Sequence, residues 1–260
     1  MYKQLDSLFI ENVYITRMHK FFSGILSLLF VPSFFACLLV FHVIQVVCRR
    51  IFGKNAHQIS VNYLNYFLLK CINLVGNTTF YKCNYELPKN APMLIVANHQ
   101  SMFDICMISW FMRELAPKFI SKIELGKGIP SISYNLRYGG SVLIDRNNKR
   151  QSLPAISNFG KRLEQNDEIG VIFPEGTRSR DGKLKEFSAT GVKILTRNMP
   201  NGYIIPVTLN NSWKLMKYGN FPLGGFNKVS LEVHEPLKIS DYTFETILEK
   251  TESVIKEAIK

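Results

Sequence analysis

The fold of this chain is decided by residues 93–113, MLIVANHQSMFDICMISWFMR, in which a short apolar run leads through a polar loop into a helix-like segment. Met93–Ala97 has the length and the apolar character of a buried strand, and Ser101–Arg113 is the candidate helix. A strand, a loop and a helix in this order are typical of the α/β class, in which reactive side chains gather in loops at the carboxyl ends of strands.

The same alternation continues from Thr78 to the end of the chain. The other candidate strands are Thr78–Asn84, Lys118–Ile120, Ser141–Ile144, Ile169–Phe173, Tyr203–Leu209 and Val229–Val233. The other candidate helices are Lys149–Gln165, Gly191–Arg197 and Tyr242–Lys260. Strands separated by helices predict an α/β fold with a mixed, largely parallel sheet flanked by helices.

The charge of the 260 residues is strongly positive and unevenly distributed. The chain has 32 basic and 20 acidic residues and a hydrophobic fraction of 47%, which excludes a disordered protein. No acidic residue lies between Glu11 and Glu86, although that segment holds several basic ones. An acid-free basic segment rich in Phe, Leu and Val favours anionic membrane lipids as partners over nucleic acid, which needs polar and stacking residues among the arginines.

Phe21–Val47, FFSGILSLLFVPSFFACLLVFHVIQVV, has no charged residue and is long enough to cross the hydrocarbon core of a membrane as a helix. A removed signal peptide is disfavoured, because the apolar run continues past Phe34–Cys37, which resembles a cleavage site. A single span fits the length, but basic residues on both sides give it no clear orientation. Because Pro32 removes a helical hydrogen bond, we prefer a kinked or broken helix that enters one leaflet and leaves both flanks in the cytoplasm.

A further helix is predicted over Ile59–Val75, ISVNYLNYFLLKCINLV, packed beneath the strands and helices that follow it. Residues 1–75 are therefore predicted to form a hydrophobic, helical membrane anchor. Residues 76–260 are predicted to form the α/β domain.

Neither the cysteines nor the histidines indicate a metal centre. The cysteines, Cys37, Cys48, Cys71, Cys83 and Cys106, are odd in number and have no Cys-x-x-Cys spacing, which is typical of reduced, buried side chains. The histidines are His19, His42, His57, His99 and His234, and none has metal-ligand spacing to another or to a cysteine. We therefore predict no metal site.

The loop at Asn98–Asp104 holds two candidate catalytic residues, His99 and Asp104. On an ideal helix, residues five apart point about 140° away from each other, so the two side chains meet only if the helix begins after His99. Ser101 provides such a start, and Ser101-x-x-Asp104 also fits a capping box, in which the carboxylate only stabilises the helix. Alternatively, Asp104 fixes the tautomer of His99 as a general base. Because no Gly-x-Ser-x-Gly elbow is present and no cysteine neighbours a histidine, that base would activate a hydroxyl of the substrate.

A second loop, Phe173–Arg180 (FPEGTRSR), follows an apolar strand. Gly176 allows the backbone to approach a ligand closely, and a guanidinium binds two phosphate oxygens at once. A solvated basic turn would explain the charge but not the order of the residues, so we predict a phosphate-binding loop. Two further cations, Lys122 and Arg146, stand at strand boundaries. Each is weak by itself, since Arg146 beside Asp145 is also typical of a surface salt bridge.

Four blocks occur in the order typical of one enzyme family: Asn98-His99-x-x-x-x-Asp104, Gly140–Arg146, Phe173–Arg178 and Ile204–Val207. The chain resembles the bacterial 1-acyl-sn-glycerol-3-phosphate acyltransferases, also called lysophosphatidic acid acyltransferases. The resemblance extends from about Tyr85 to Val233. The His-x-x-x-x-Asp pattern alone recurs by chance, but together with Pro-Glu-Gly-Thr-Arg it is highly specific.

This resemblance implies a role for each candidate residue. His99 would remove the proton from the free sn-2 hydroxyl of lysophosphatidic acid as that oxygen attacks an acyl thioester, and Asp104 would hold the imidazole. The substrate phosphate would be bound by Lys122, Arg178 and, as a third cation, Arg146, in a pocket shaped by Glu175, Gly176 and Thr177.

The resemblance also implies a membrane-bound enzyme of phospholipid biosynthesis that makes phosphatidic acid. Its catalytic domain would lie on the cytoplasmic face, which in a bacterium is that of the inner membrane. Acyl-coenzyme A or acyl carrier protein would be the acyl donor, as a co-substrate without any other cofactor. Another lyso-lipid or glycerol 3-phosphate is the alternative acceptor. The sequence leaves open the donor, the acyl chain length, the topology of the anchor and the oligomeric state.

Overall fold

The computed structural model describes the backbone from Tyr2 to Lys260 and the side chains from Thr16 onward. The helices of this part are α1 Tyr2–Val47, α2 Gly53–Asn73, α3 Asp104–Phe111, α4 Ile132–Tyr138, α5 Lys149–Asn166, α6 Ala189–Arg197 and α7 Phe244–Ala258. Its strands are β1 Thr78–Cys83, β2 Met93–Ala97, β3 Lys118–Lys122, β4 Val142–Ile144, β5 Ile169–Ile172, β6 Tyr203–Asn210, β7 Lys228–Val233 and β8 Leu237–Lys238.

The strands form one sheet in the order β1-β7-β6-β2-β5-β3-β4, and β8 pairs with the start of β6. Five adjacent strands, β6, β2, β5, β3 and β4, are parallel to one another. Strand β7, on the other side of β6, runs antiparallel to it. The predicted mixed, largely parallel sheet flanked by helices is confirmed. Because five neighbouring strands run in the same direction, the loops that follow them lie along one edge of the sheet.

Helices cover both faces of this sheet, and the sequence of β2 shows why. Successive side chains of a strand point to opposite faces, and every residue of Met93–Ala97 is buried. Ile95 packs in a core with α1, α2 and α3, whereas Leu94 and Val96 pack in a second core with α5, α6 and α7. A strand buried on both faces must be a continuous apolar run, as this one is.

The long apolar helix α1 continues through Pro32, so the broken form of the expected kinked or broken helix is wrong. The chain instead reverses through a π-helical turn at Cys48–Phe52 and through Gly53, whose φ of +86° suits glycine. Cys37 of α1 and Cys71 of α2 lie with their sulfur atoms 3.7 Å apart, so the two helices form an antiparallel pair. Proline removes only one donor from a helix, and packing on both sides of that position holds α1 together.

One stripe of α1 packs against the rest of the protein. Its buried residues recur every three or four positions: Ser23, Ser27, Phe30, Phe34, Leu38, Phe41 and Gln45. The Ser27 hydroxyl oxygen accepts a hydrogen bond from the backbone N–H of Leu223 at 3.0 Å. The opposite face of α1 is apolar and exposed. Within the described residues, the continuous helical stretch Thr16–Asn73, which includes most of α1 and all of α2, is long and apolar enough to cross a membrane.

The predicted boundary between residues 75 and 76 lies in the turn that connects α2 to β1. Phe30 and Phe34 of α1 and Leu68 of α2 nevertheless belong to the same hydrophobic core as the sheet residues Ile95 and Val207. The division into an anchor and an α/β domain stays a prediction.

Candidate active site

The four predicted site segments lie at the same edge of the sheet. The loop with His99 follows β2, Lys122 is the last residue of β3, Arg146 comes shortly after β4, and the loop beginning at Phe173 follows β5. Since these strands are parallel neighbours, their carboxyl ends place all four segments side by side. This edge is where an α/β sheet presents reactive groups.

His99 and Asp104 are in direct contact, with 2.9 Å between the imidazole Nδ1 and the carboxylate Oδ2. The helix α3 begins at Asp104, later than the predicted start at Ser101, so His99 lies in the loop before it. The His99 side chain is 14% exposed and that of Asp104 is fully buried. A carboxylate facing Nδ1 assigns the proton to that nitrogen, which leaves Nε2 as the basic one. Among the described residues Nε2 has no hydrogen-bond partner, so it is available to a substrate.

The carboxylate of Asp104 caps the loop and binds the imidazole at the same time. Its Oδ2 also accepts hydrogen bonds from the backbone N–H groups of Gln100 at 2.6 Å and Ser101 at 2.9 Å. Its Oδ1 accepts a bond of 2.5 Å from the Ser212 hydroxyl and a longer one of 3.4 Å from the Ser101 hydroxyl. A buried charge needs such donors, because burying it uncompensated is strongly unfavourable. The capping and the imidazole-orienting roles considered for Asp104 are therefore geometrically compatible.

Ser212 is a site residue that the sequence did not indicate. It is fully buried at the start of the 3₁₀ turn that follows β6, the strand next to β2. Its hydroxyl contacts Oε1 of Gln100 at 3.3 Å as well as Asp104. Nearby, the amide of Asn98 bonds both the N–H and the carbonyl of Leu209, at 2.7 and 2.9 Å. The loop that carries His99 is thus fastened to the end of β6.

Glu175 joins the loop that carries His99 to the loop after β5, the strand that pairs with β2 on the side opposite β6. Its Oε1 accepts a hydrogen bond of 2.6 Å from the backbone N–H of His99, and its Oε2 accepts one of 3.0 Å from the N–H of Lys185. The carbonyl of His99 accepts a further bond of 2.7 Å from the N–H of Ser179. Burial raises the pKa of Glu175, against the opposing effect of the two N–H donors. Since both its oxygens already bind backbone N–H groups, Glu175 joins two loops and has no oxygen left for a ligand.

The ring of Phe173 lies flat against the imidazole of His99. Their centroids are 4.2 Å apart and the planes differ by 19°. This contact and the bond to Asp104 together hold the His99 ring in one orientation, so that Nε2 keeps a fixed position at the sheet edge.

Specific contacts fix the conformation of the basic loop after β5. Gly176 has a φ of +67°, and a Cβ atom placed there would meet no other atom within 4 Å. The Arg146 guanidinium donates a hydrogen bond to the Gly176 carbonyl, which brings this cation to the loop. The Lys185 ammonium donates to the Thr177 hydroxyl at 3.0 Å and to the Arg178 carbonyl at 2.9 Å. Lys185 is a second contributor that the predicted set does not include.

Lys122 and Arg178 are exposed, and within the described part of the chain neither side chain forms a hydrogen bond or an ion pair. Together with Arg146 and Lys185 they leave this edge rich in cations with free donors, as a phosphate group requires. Among the described residues, no group of three or more His, Cys, Asp and Glu side chains could hold a metal ion.

A histidine paired with a buried carboxylate, beside a loop rich in cations, is the arrangement expected of an α/β enzyme that uses acid–base chemistry on an anionic substrate. The model of the Acyltransferase family matches residues 80–210, which include all the predicted site residues. The chain therefore belongs to the Acyltransferase family.

Individual relatives agree with this assignment. The 1-acyl-sn-glycerol-3-phosphate acyltransferase of Helicobacter pylori is 33% identical over 174 residues, which is 64% of this chain and 68% of that protein. The chloroplastic 1-acyl-sn-glycerol-3-phosphate acyltransferase LPAT1 of Arabidopsis thaliana is 28% identical over 178 residues, or 66% of this chain and 48% of that one. The chain spans about half the length of the plant and algal relatives it matches.

The fold also has a counterpart among solved structures. The crystal structure of the 1-acyl-sn-glycerophosphate acyltransferase PlsC from Thermotoga maritima superposes with a TM-score of 0.77 at 23% identity. The superposition covers 92% of this chain and 95% of that one, so the similarity in fold includes the N-terminal helices.

Proposed function

We propose that this protein transfers a fatty acyl group from an acyl thioester to the sn-2 hydroxyl of lysophosphatidic acid, giving phosphatidic acid. The observation that carries the proposal is the His99–Asp104 pair, whose free Nε2 lies at the same sheet edge as the cations of the loop after β5. The names of the relatives in the Acyltransferase family support the choice of acceptor.

In this mechanism Nε2 of His99 accepts the proton of the sn-2 hydroxyl while the oxygen attacks the thioester carbonyl carbon. The tetrahedral intermediate then collapses, the carbon–sulfur bond breaks, and the thiolate takes the proton from Nε2. Asp104 stabilises the positive imidazolium that exists between these two steps. General-base assistance contributes typically ~10²–10⁴-fold, so the alignment of the two substrates must provide much of the remaining acceleration.

The phosphate of the acceptor is bound by Lys122, Arg146 and Arg178. Arg146 is already positioned by the Gly176 carbonyl, and the other two side chains have their donors free for the phosphate oxygens. The acyl donor is acyl-coenzyme A or acyl carrier protein, and no cofactor takes part beyond this co-substrate. Both donors are acidic and suit a protein with a net charge of +12.

The protein acts at a membrane, with its catalytic side in the cytoplasm and, in a bacterium, at the inner membrane. The exposed apolar face of α1 supports this location, and the acid-free segment suits anionic lipids. Because α1 packs lengthwise against the protein, it lies in one leaflet instead of crossing the bilayer. Protease protection of the two basic flanks of the apolar run Phe21–Val47 tests this topology, and flanks on opposite sides would contradict it.

The test of the activity uses purified full-length protein in mixed micelles with lysophosphatidic acid and radiolabelled acyl-coenzyme A or acyl carrier protein. We expect phosphatidic acid from the wild type and a loss of at least about 100-fold in His99→Ala, since the general base is removed. His234→Ala is the matched control. His234 bonds Thr208 and follows β7, whose direction places it away from the site edge, so this variant keeps its activity. Retained activity in His99→Ala would refute the mechanism.

A panel of acceptors tests the substrate. We expect lysophosphatidic acid to react faster than a lysophospholipid with a substituted phosphate, a lyso-aminolipid or glycerol 3-phosphate. A faster reaction with any of these would keep the chemistry and replace the acceptor.

A further inference from the structure

Residues 217–226, KYGNFPLGGF, form an aromatic loop that the proposed reaction does not use. The loop lies between the 3₁₀ turn with Ser212 and strand β7. Its side chains Phe221 and Phe226 are 52% and 51% exposed. Where exposed apolar side chains form part of a larger patch, they mark an interaction site.

The aromatic loop is fastened to the membrane helices. The hydroxyl oxygens of Ser27 and Ser23 accept hydrogen bonds from the N–H groups of Leu223 and Gly225, at 3.0 and 3.1 Å. The N–H of Phe226 donates to the carbonyl of Val75, just after α2, at 3.1 Å. These bonds come from α1 and from the turn that follows α2, so the loop has a fixed position beside the two helices.

The Phe226 ring of the aromatic loop extends the exposed apolar face of α1. The Phe226 ring lies 5.8 Å from the His19 ring of α1, and Phe22 and Ile25 of the same helix are exposed. The two surfaces are therefore continuous, and a medium that covers one of them also meets the other.

The backbone at Phe226 has a strained conformation. Its φ of +60° is in the left-handed region, which is unfavourable for a residue with a Cβ atom. The ring covers Gly76 so closely that a Cβ at that glycine would lie 2.5 Å from it. Strain of this kind persists where the surrounding structure enforces it, and it is concentrated at functional sites.

The charges around the aromatic loop indicate what covers it. The ammonium groups of Lys217 and Lys20 lie 4.8 and 5.5 Å from the ring centre of Tyr218. No acidic residue occurs between Glu186 and Glu232. Exposed phenyl rings beside lysines match the boundary between hydrocarbon and anionic headgroups.

We propose that the aromatic loop is a second membrane-contacting element of this protein, with Phe221 and Phe226 in the bilayer and Lys20 and Lys217 at the lipid phosphates. With α1 it gives the protein two contacts on one surface, which fix its rotation about the axis of α1. The proposal does not depend on the proposed reaction, because no catalytic step uses the loop.

The test places a fluorescent reporter in the aromatic loop by the conservative substitution Phe221→Trp. Full-length protein is reconstituted with phosphatidylcholine and phosphatidylglycerol vesicles whose acyl chains carry bromine, which quenches tryptophan in the hydrocarbon. The matched control is Tyr242→Trp, because Tyr242 packs with the core on the opposite face of the sheet. Wild-type protein corrects for the native Trp110 and Trp213.

We expect brominated lipid to quench the residue introduced at position 221 severalfold more strongly than the one at position 242. Equal quenching at the two positions would overturn the proposal. Quenching by aqueous iodide at position 221 would show a loop in water. Protection from both iodide and bromine would show a contact with a second copy of the chain, and either result would overturn it as well.

A binding measurement supports the fluorescence. Phe221→Ser should weaken retention on the anionic vesicles about tenfold, since burial of a phenyl ring contributes at least that much to partitioning. Tyr242→Ser should leave retention unchanged, and equal retention of both variants would contradict the proposal. Acyl transfer in micelles is measured in parallel, so a failure of the loop proposal is distinguished from a failure of the enzyme.

Discussion

The hydroxyl of Ser212 joins the end of β6 to Asp104 and so reaches His99 through one intermediate residue. We predict that Ser212→Ala lowers kcat about tenfold, because Oδ1 of Asp104 loses its short hydrogen bond and the imidazole loses part of its support. The KM for lysophosphatidic acid should not change, since Ser212 does not contact the cations proposed to bind the phosphate.

Steady-state kinetics and a pH profile check this role. Ser212→Thr keeps a hydroxyl and should recover most of the kcat, whereas a residue that only fills space would be replaced equally well by alanine. A kcat of the alanine variant equal to that of the wild type, with an unshifted pH profile, would assign Ser212 to packing alone.

Glu175 gives the stability of the protein a pH dependence of known sign. Burial raises its pKa in the folded state above the ordinary value of 4.5, so the folded protein binds the proton more tightly than the unfolded chain. The contribution of Glu175 to the free energy of unfolding is therefore largest at low pH. It decreases as the pH rises from the unfolded-state pKa through the raised one.

The check on Glu175 is the difference in Tm between the wild type and Glu175→Gln across the acidic range. We expect this difference to shift against the wild type as the pH rises through that window and then to level off. A difference that does not change with pH would show that the Glu175 carboxyl has the same pKa in the folded and the unfolded state.

Arg178 has its guanidinium free in the described structure and is proposed to bind phosphate. We expect Arg178→Ala to raise the KM for lysophosphatidic acid about tenfold or more, because a charged hydrogen bond to phosphate is lost. Arg197→Ala is the control, since Arg197 is also exposed but ends α6, away from the site edge. An equal loss of activity with a monoacylglycerol acceptor, which has no phosphate, would contradict the pocket.

Helix α1 is a structural part of the protein as well as its proposed lipid contact. Phe34 is only 9% exposed and packs edge-on against Phe103 at 6.1 Å, next to the active-site loop, whereas its neighbour Phe35 is 58% exposed. Phe34→Ala should lower the free energy of unfolding by about 3 kcal/mol, as for other buried phenyl rings, and Phe35→Ala by less than about 0.5 kcal/mol. Thermal unfolding in detergent measures both, and equal losses would refute the packing of α1.

The long elements could be predicted from the sequence because their patterns are local. The strands from β1 to β7 are apolar or β-branched runs, and their predicted bounds differ from the observed ones by a few residues at most. Helix α4 was not predicted, because only Ser133 and Leu136 of its residues are buried and no apolar stripe marks it. The predicted break at Pro32 failed because packing of α1, which no local pattern encodes, outweighs the loss of one hydrogen bond.

The candidate site also contains residues that a local sequence pattern reveals and residues that none does. His99, Asp104 and the loop after β5 stand in short contiguous motifs, and the meeting of His99 with Asp104 follows from the start of α3. Ser212 lies 108 residues from Asp104 in sequence and is a neutral residue in a turn, so only the pairing of β6 with β2 brings it to the site. The catalytic and phosphate-binding roles themselves stay predictions until the variants are measured.

Helices α1 and α2 share one hydrophobic core with the sheet. Removal of residues 1–75 would expose Phe103, Met107 and Val207, which are buried under α1 and α2 or beside them. We therefore expect the fragment 76–260 to aggregate and to show no cooperative thermal transition.

Co-expression of residues 1–75 as a separate chain should restore part of the folded protein, because the contacts between the two parts are intact. Circular dichroism melts and size-exclusion chromatography measure both outcomes. A cooperative melt of 76–260 alone would instead establish an autonomous α/β domain.

The bond between Ser27 and Leu223 closes a separation of 196 residues, and this has a consequence for biosynthesis. At roughly 5–20 residues per second, a ribosome adds Leu223 about 10–40 s after it has added Ser27. During that interval the apolar N-terminal segment has no completed sheet to pack against. Lipid or a chaperone must therefore shelter this segment until the sheet is complete.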